Sequence, residues 1–238
     1  MISIVMPVFN TRPDWLEQSV NSCLNQTFGN FELIIVDNDS ENEATLKKLE
    51  EFKSEKNVRF LRCPKQSGKR GVSMAINVGI ENSRYDLIAR MDSDDWMYPT
   101  RLAVQYEYLC ANPDVSILGA QVHILQHKQV TRHPEVVDVD YIRRTKSSWF
   151  INHPTVMFRK SIFSIVDKYS ESPEIFPEDL ELWTRCLVRG LKIRNLKECL
   201  LNYNFHGENT SIIDASRFEW SKNLNIYMAR VLADFESK

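Results

Sequence analysis

The amino-acid sequence predicts an α/β fold in which a mostly parallel, doubly wound sheet carries helices on both faces. Three observations predict it. Residues 2–6 (ISIVM) and 31–36 (FELIIV) are almost continuously apolar, the pattern of strands buried on both sides in a parallel sheet. Segments of helical spacing follow each of them, giving β-α-β-α-β order and right-handed crossovers. A further strand within residues 87–96 (LIARMDSDDW) stops abruptly in carboxylates, with Asp92, Asp94 and Asp95 inside four residues.

Each element follows from local chemistry. Pro7, Asn10 and Pro13 break the first strand, and Leu16, Val20, Cys23 and Leu24 then mark a helix over residues 14–26. The second strand ends in Asp37, Asn38, Asp39 and Ser40, and a helix runs on to about Glu55. Residues 58–61 (VRFL) form the third strand, and residues 63–70 (CPKQSGKR) a loop that lacks the order of a P-loop. Val72, Ala75, Ile76, Gly79 and Ile80 share one helical stripe, where Gly79 predicts close packing on the sheet.

Pro99 opens a helix to Ala111, and Asn112 and Pro113 stop it. Residues 115–119 and 122–130 read as two strands, 138–147 as a helix, 151–158 (INHPTVMF) as a strand and 159–169 as a helix. A proline-bounded loop over residues 172–177 precedes a helix that opens on Glu178 and Asp179 and is capped by Gly190. Two short strands, near Ile193 and over residues 200–203, a polar loop at 205–211 and a C-terminal helix over 217–235 complete the chain.

Bulk properties narrow the function. The chain has 238 residues, 43% hydrophobic and 26% charged, with a net charge of −2. That fits one large soluble domain and implies no polyanion-binding surface, hence no nucleic-acid partner. Five cysteines in no C-x-x-C spacing suggest neither a disulfide frame nor a zinc site. The first ten residues are not a signal peptide, and no apolar run approaches the roughly 20 residues of a membrane span. The expected location is cytoplasmic, soluble or peripheral to a membrane.

In a doubly wound sheet, ligands bind beyond the carboxyl ends of the strands. Asn10, Asp37, Asp39, Asp92 and Asp94 all fall on that edge. Three like charges at a strand end repel by on the order of 1 kcal/mol per contact in water. A divalent cation shared with a phosphate ligand relieves that repulsion; an acidic turn before the next helix is the alternative.

Taken together, MPVFN at strand one, VDNDS after strand two, MDSDDW after the later strand and PEDLELWTR before a late helix resemble the family 2 glycosyltransferases, which have the GT-A fold. The resemblance spans residues 2–211. It implies a Rossmann-like sheet with a smaller acceptor-side region: residues 1–98 as the nucleotide-binding half, 99–215 as the acceptor-binding half and 216–238 as a C-terminal helix of a single domain. Pro7, Val8 and Asn10 would line the nucleotide-base pocket. Asp37 would accept hydrogen bonds from base or ribose, with Asp39 nearby at a position where the family more often has glycine. Gly68, Arg70 and Asn77 match the loop and helix that close over base and ribose. Asp92-Ser93-Asp94 is the D-x-D signature, with Asp92 facing ribose and metal and Asp94 holding Mn²⁺ or Mg²⁺ on the diphosphate.

The resemblance makes Asp179 the general base of an inverting transfer, with Glu178 beside it. An acidic helix start favoured by the helix dipole is the plain alternative. His206 would be a third metal ligand or a phosphate contact. His153 and Pro154 match a turn on the acceptor side. Trp183 reads as core rather than as a sugar platform, and His123, His127 and His133 as surface residues. The implied partners are a nucleotide-diphosphate sugar, by default of uridine, and a glycan, lipid-linked or protein-linked sugar acceptor.

Two other functions fit an α/β nucleotide site. A nucleotidyltransferase making the sugar nucleotide needs a Gly-rich, Arg-containing loop after strand one, and residues 7–13 contain no glycine. A non-catalytic binder of nucleotide sugars would have no need of Asp92, Asp94 and Asp179 together.

Overall fold

The computed structural model describes residues 1–63, 71–145, 147–172 and 177–207. Gly68, Arg70, most of the proline-bounded loop before Glu178, and the expected C-terminal helix lie outside these residues.

The fold is a three-layer α/β structure around one sheet with the strand order β3-β2-β1-β4-β9-β6-β10-β5. β1 (Ile2–Val8), β2 (Phe31–Asp37), β3 (Val58–Arg62) and β4 (Leu87–Arg90) are mutually parallel. Every residue of β1 and β2 is buried, as their unbroken apolarity predicts. α1 (Pro13–Leu24) starts on a proline, whose missing N–H is one that a first helical turn leaves unbonded in any case. α2 (Glu43–Glu51) is capped by Asn42, whose side chain accepts from Ala44 N and Thr45 N. α1 and α2 cover one face, with Leu16, Val20, Cys23 and Leu49 against Ile4, Met6, Leu33 and Ile35.

α3 (Val72–Asn82) covers the other face. A Cβ on Gly79 would come within 2.3 Å of Val5 Cγ1, so the helix approaches β1 as closely as the stripe implied. β1 is flanked by β2 on one side and β4 on the other, so the chain changes direction there. That is a topological switch point, where the carboxyl ends of two strands leave a crevice.

The second half extends the sheet. After β5 (Trp96–Met97) and α4 (Arg101–Ala111), β6 (Val115–Ile124) runs as one strand of ten residues and turns back through β7 (Gln129–Val130). β8 (Val136–Val137) and α5 (Val139–Thr145) lead to β9 (Met157–Arg159), which is antiparallel to both β4 and β6. α6 (Glu178–Val188) packs Leu180, Trp183, Cys186 and Leu187 into the second core. It ends at Gly190, with φ +76°, where Gly190 N bonds Leu187 O and Leu191 N bonds Cys186 O. β10 (Lys192–Tyr203) closes the sheet beside β6 and β5.

Five expectations change. The strands expected over 115–119 and 122–130 divide elsewhere: Val115–Ile124 is one strand and only Gln129–Val130 pairs back on it. Pro154 cannot donate to a ladder, so residues 153–155 make a 3₁₀ turn and only Met157–Arg159 is strand. The helix expected over 159–169 is a 3₁₀ turn, Lys160–Ser164, because Arg159 stays extended and spends its guanidinium on the carbonyls of Leu109, Asn112 and Val115. The two short strands near Ile193 and 200–203 are one strand, β10, with irregular pairing between Asn195 and Cys199 and between Cys199 and Leu201. His133 is not a free surface residue: its Nε2 lies 3.0 Å from Asn152 Oδ1, and burial lowers its pKa. Among the described residues, no helix is long and apolar enough to cross a membrane.

Candidate functional site

The switch-point crevice collects the carboxylates. Thr11, beyond β1, and Ser93, beyond β4, meet across it with their hydroxyl oxygens 2.6 Å apart. Ser19 of α1 donates to Asp92 O at 2.8 Å and fixes the start of the acidic turn. Asp92, Asp94 and Asp95 each bring a carboxylate oxygen within 4.8 Å of the others.

The three aspartates have different surroundings. Asp92 is paired with the guanidinium of Arg90. Burial raises its pKa, and Arg90 opposes that rise. Asp95 is fully buried, accepts from Asn204 N at 2.8 Å, and has no hydrogen-bond partner on Oδ2 among the described residues. Burial and the charges of Asp92 and Asp94 push it well above the ordinary carboxylate range. It therefore ties the end of β10 to the acidic turn and delivers the residues that follow. His206 is one of them. Its Nε2 lies 2.9 Å from Asp94 Oδ2, and its ring stacks on Trp15 at 4.3 Å.

The donor set suits a divalent cation. Asp92 and Asp94 offer hard oxygens, His206 a nitrogen, and the charge crowding at Asp95 is what a cation would relieve.

A second acidic group opens α6. Glu178 Oε1 and Asp179 Oδ2 each lie 3.8 Å from His153 Nδ1. Burial, then the charge of Asp179, pushes Glu178 up to about 8. Burial also raises Asp179, against a 2.8 Å hydrogen bond from Leu180 N to its Oδ1. At neutral pH Glu178 therefore keeps its proton. Arg90 and Asp92 both act on Glu178, and Asp179 acts on Asp92, so the two acidic groups share one electrostatic environment.

The nucleotide-side residues are placed as follows. Pro7 and Val8 are buried in β1. Asn10, at φ 50°, accepts from Glu41 N and Asn42 N and so shapes the loop after β2. Asp37 accepts from Ser40 N at 2.9 Å. Asp39 has φ 63° and lies 3.0 Å from Arg62. An aspartate tolerates that left-handed conformation better than most side chains, which reconciles it with a position where glycine is frequent. Asn77 is not turned to the crevice edge: its amide bonds Tyr169 N, Tyr169 O and Glu171 Oε1. Trp183 is 1% exposed, in the core.

Sequence reasoning passed over Arg90. It is 5% exposed, and its Nε has no hydrogen-bond partner among the described residues. A charged residue inside an otherwise apolar strand, two positions before Asp92, was the available signal. Trp15 and Tyr169 were also missed, and nothing in their spacing marks them.

Residues 3–169 match the family described as Glycosyl transferase family 2. The chain is 33% identical over 216 residues to the O-antigen biosynthesis glycosyltransferase WbnJ of Escherichia coli, across 88% of this chain and 82% of that one. Two solved structures share the fold. TarS 1–349 of S. aureus in complex with UDP superposes with a TM-score of 0.73 at 18% identity, across 98% of this chain and 70% of that one. The mannosyltransferase PcManGT of Pyrobaculum calidifontis in complex with GDP-Man and Mn²⁺ gives 0.70 at 13% identity, across 98% and 64%. The family match and the GT-A-like sheet agree with the site just described: the chain belongs to glycosyl transferase family 2 and is a glycosyltransferase.

Proposed function

We propose that the protein is an inverting, metal-dependent transferase that moves a sugar from a nucleotide-diphosphate donor to a hydroxyl of a glycan acceptor. The observation that carries this reading is the pair of carboxylate groups themselves, Asp92–Asp94 beside the buried Arg90 at the switch point and Glu178–Asp179 around His153. One group suits the leaving diphosphate and the other the incoming nucleophile. UDP in TarS, and GDP-Man with Mn²⁺ in PcManGT, support a nucleotide-sugar donor with a divalent cation, and a uridine donor is the default. The role printed for WbnJ supports a sugar hydroxyl on a growing glycan as the acceptor.

Asp92, Asp94 and His206 would hold the cation. When bound, it supplies Lewis-acid charge to the departing diphosphate. Arg90 opposes the burial that raises Asp92 and so favours its charged form. Pro7, Val8, Asn10, Asp37, Asp39 and Ser93 form the nucleotide side of the crevice; Gly68 and Arg70, which the family resemblance adds to it, lie outside the described residues. Asp179 removes the acceptor hydroxyl proton as the acceptor oxygen bonds to the anomeric carbon. The bond to the diphosphate breaks on the opposite face, so the configuration inverts. Glu178, protonated, orients the acceptor.

The test is thermal shift with UDP, GDP and dTDP sugars, with and without Mn²⁺. A bound donor at 100 times its dissociation constant adds roughly 2.7 kcal/mol of stability. The expected result is stabilisation that requires both donor and Mn²⁺ and disappears in Asp94→Ala. Release of pyrophosphate from a nucleoside triphosphate and a sugar phosphate would instead make the protein a nucleotidyltransferase.

A further inference from the structure

His153 stands between two buried partners that decide where its proton resides. Its Nε2 is 2.9 Å from the Tyr169 hydroxyl, and its Nδ1 faces Glu178 Oε1 and Asp179 Oδ2 at 3.8 Å each. Burial, and then the charge of Arg90, holds the imidazole well below its ordinary range, so the ring is neutral and carries a single proton.

Tyr169 selects the nitrogen. The residue is 2% exposed, and burial keeps the phenol protonated. Among the described residues, the hydroxyl has no hydrogen-bond partner other than His153. Leaving a buried O–H unpaired costs roughly 1–3 kcal/mol. The hydroxyl therefore donates to Nε2, and the ring proton is on Nδ1, facing the carboxylates.

We propose that His153, held in its Nδ1-protonated form by Tyr169, is a positioning residue that presents an N–H to the Glu178–Asp179 pair and keeps Asp179 ionised to receive the acceptor proton. This rests on the reading of Asp179 as the base. A hydrogen bond given to the charged form of an acid favours that form. The other groups acting on the pair are Arg90, which favours the charged form of both, the Leu180 N–H, which favours it at Asp179, and Asp92 and Asp179, which oppose it at Glu178. At 3.8 Å the contact is one small adjustment from a hydrogen bond, and such contacts tighten when substrate is bound. During transfer the acceptor proton passes to Asp179, while His153 and Tyr169 keep their own.

The surrounding structure holds this arrangement in place. Asn77 of α3 accepts from Tyr169 N at 3.1 Å and donates to Tyr169 O at 2.8 Å. Trp183 packs edge-on against both rings, at 5.8 Å from His153 and 6.1 Å from Tyr169. The amide of Asn77 therefore acts on the base through Tyr169 and His153.

Two experiments test the proposal. Long-range ¹H–¹⁵N NMR of the histidine rings reads the tautomer in the unaltered chain, without turnover. A proton on His153 Nδ1 is expected, and a proton on Nε2 overturns the proposal. The pH profile of kcat/KM for transfer, with Mn²⁺ and the donor selected by thermal shift, tests the consequence. Tyr169→Phe and His153→Leu are expected to move the acid limb up by about one pH unit. His153→Asn, which returns an N–H near the Nδ1 position, is expected to restore it. An unmoved limb in folded Tyr169→Phe overturns the proposal. Asp179→Asn separates the two readings: if it retains activity, the base assignment fails, whereas loss of activity there with an unmoved limb in Tyr169→Phe removes only the role of His153.

Discussion

His206 Nε2 lies 2.9 Å from Asp94 Oδ2 across 112 residues of chain. The last strand, β10, returns to the acidic turn, and Asp95 fastens its end through Asn204 N. Trp15 then holds the imidazole by stacking. A cation replacing this contact would take the carboxylate and the ring together. His206→Ala is expected to raise the Mn²⁺ concentration for half-maximal donor binding by roughly ten-fold, with a larger rise in Asp94→Ala. Calorimetric titration of Mn²⁺ with donor present checks this, and an unchanged midpoint in His206→Ala limits the histidine to packing on Trp15.

The Glu178 carboxyl makes stability depend on pH. Its pKa is about 8 in the folded chain against an ordinary 4.5. Between those values the folded chain keeps a proton that the unfolded chain has released. That contribution is fully present below about pH 4.5 and is lost as pH rises through about 8. Scanning calorimetry without metal or donor is expected to give a Tm that falls between pH 5 and 9. Glu178→Gln should fall less steeply, and parallel curves for the two chains would contradict the assignment.

Arg90 is a buried charge whose removal leaves Asp92 without its cation. Arg90→Met is expected to lower stability by about 3–5 kcal/mol. The loss should be greater at pH 8 than at pH 5, because protonation of the abandoned carboxylates relieves it. Urea unfolding at the two pH values measures both, and a loss under about 1 kcal/mol would mean that the pair is solvated.

Gly79 shows the packing limit at the switch point. A Cβ there meets Val5 Cγ1 at 2.3 Å, and a β-branched side chain in a buried strand has little room to turn. Gly79→Ala is expected to cost about 1–3 kcal/mol. Gly29, with nothing within 4 Å, is the control, and Gly29→Ala should stay within about 0.5 kcal/mol in the same urea titration.

The parallel half of the fold was legible because it is built from local signals. Unbroken apolar runs gave β1 and β2, the helical spacing of Leu16, Val20, Cys23 and Leu24 gave α1, and a glycine on an apolar stripe gave the close approach of α3. The second half was less legible because tertiary partners decide it. Arg159 is held extended by three carbonyls from distant segments, and β10 reads as two strands because its pairing with β6 is irregular in the middle. In the site, carboxylates at strand ends advertise themselves, since only a ligand or burial explains their crowding. Arg90, Trp15 and Tyr169 do not. Their importance comes from what lies opposite them in space, and Asn77, read as facing a nucleotide, instead bonds a segment more than ninety positions away.

The central claim is that Asp179 takes the acceptor proton while the other carboxylates serve the donor. Single-turnover transfer by Asp179→Asn, at saturating donor and Mn²⁺, tests it most directly. The account predicts that the rate falls at least about 100-fold, while the donor dissociation constant stays within about two-fold, because the asparagine keeps the shape but cannot accept the proton. A rate within about ten-fold of the unaltered chain would contradict it and move the base elsewhere.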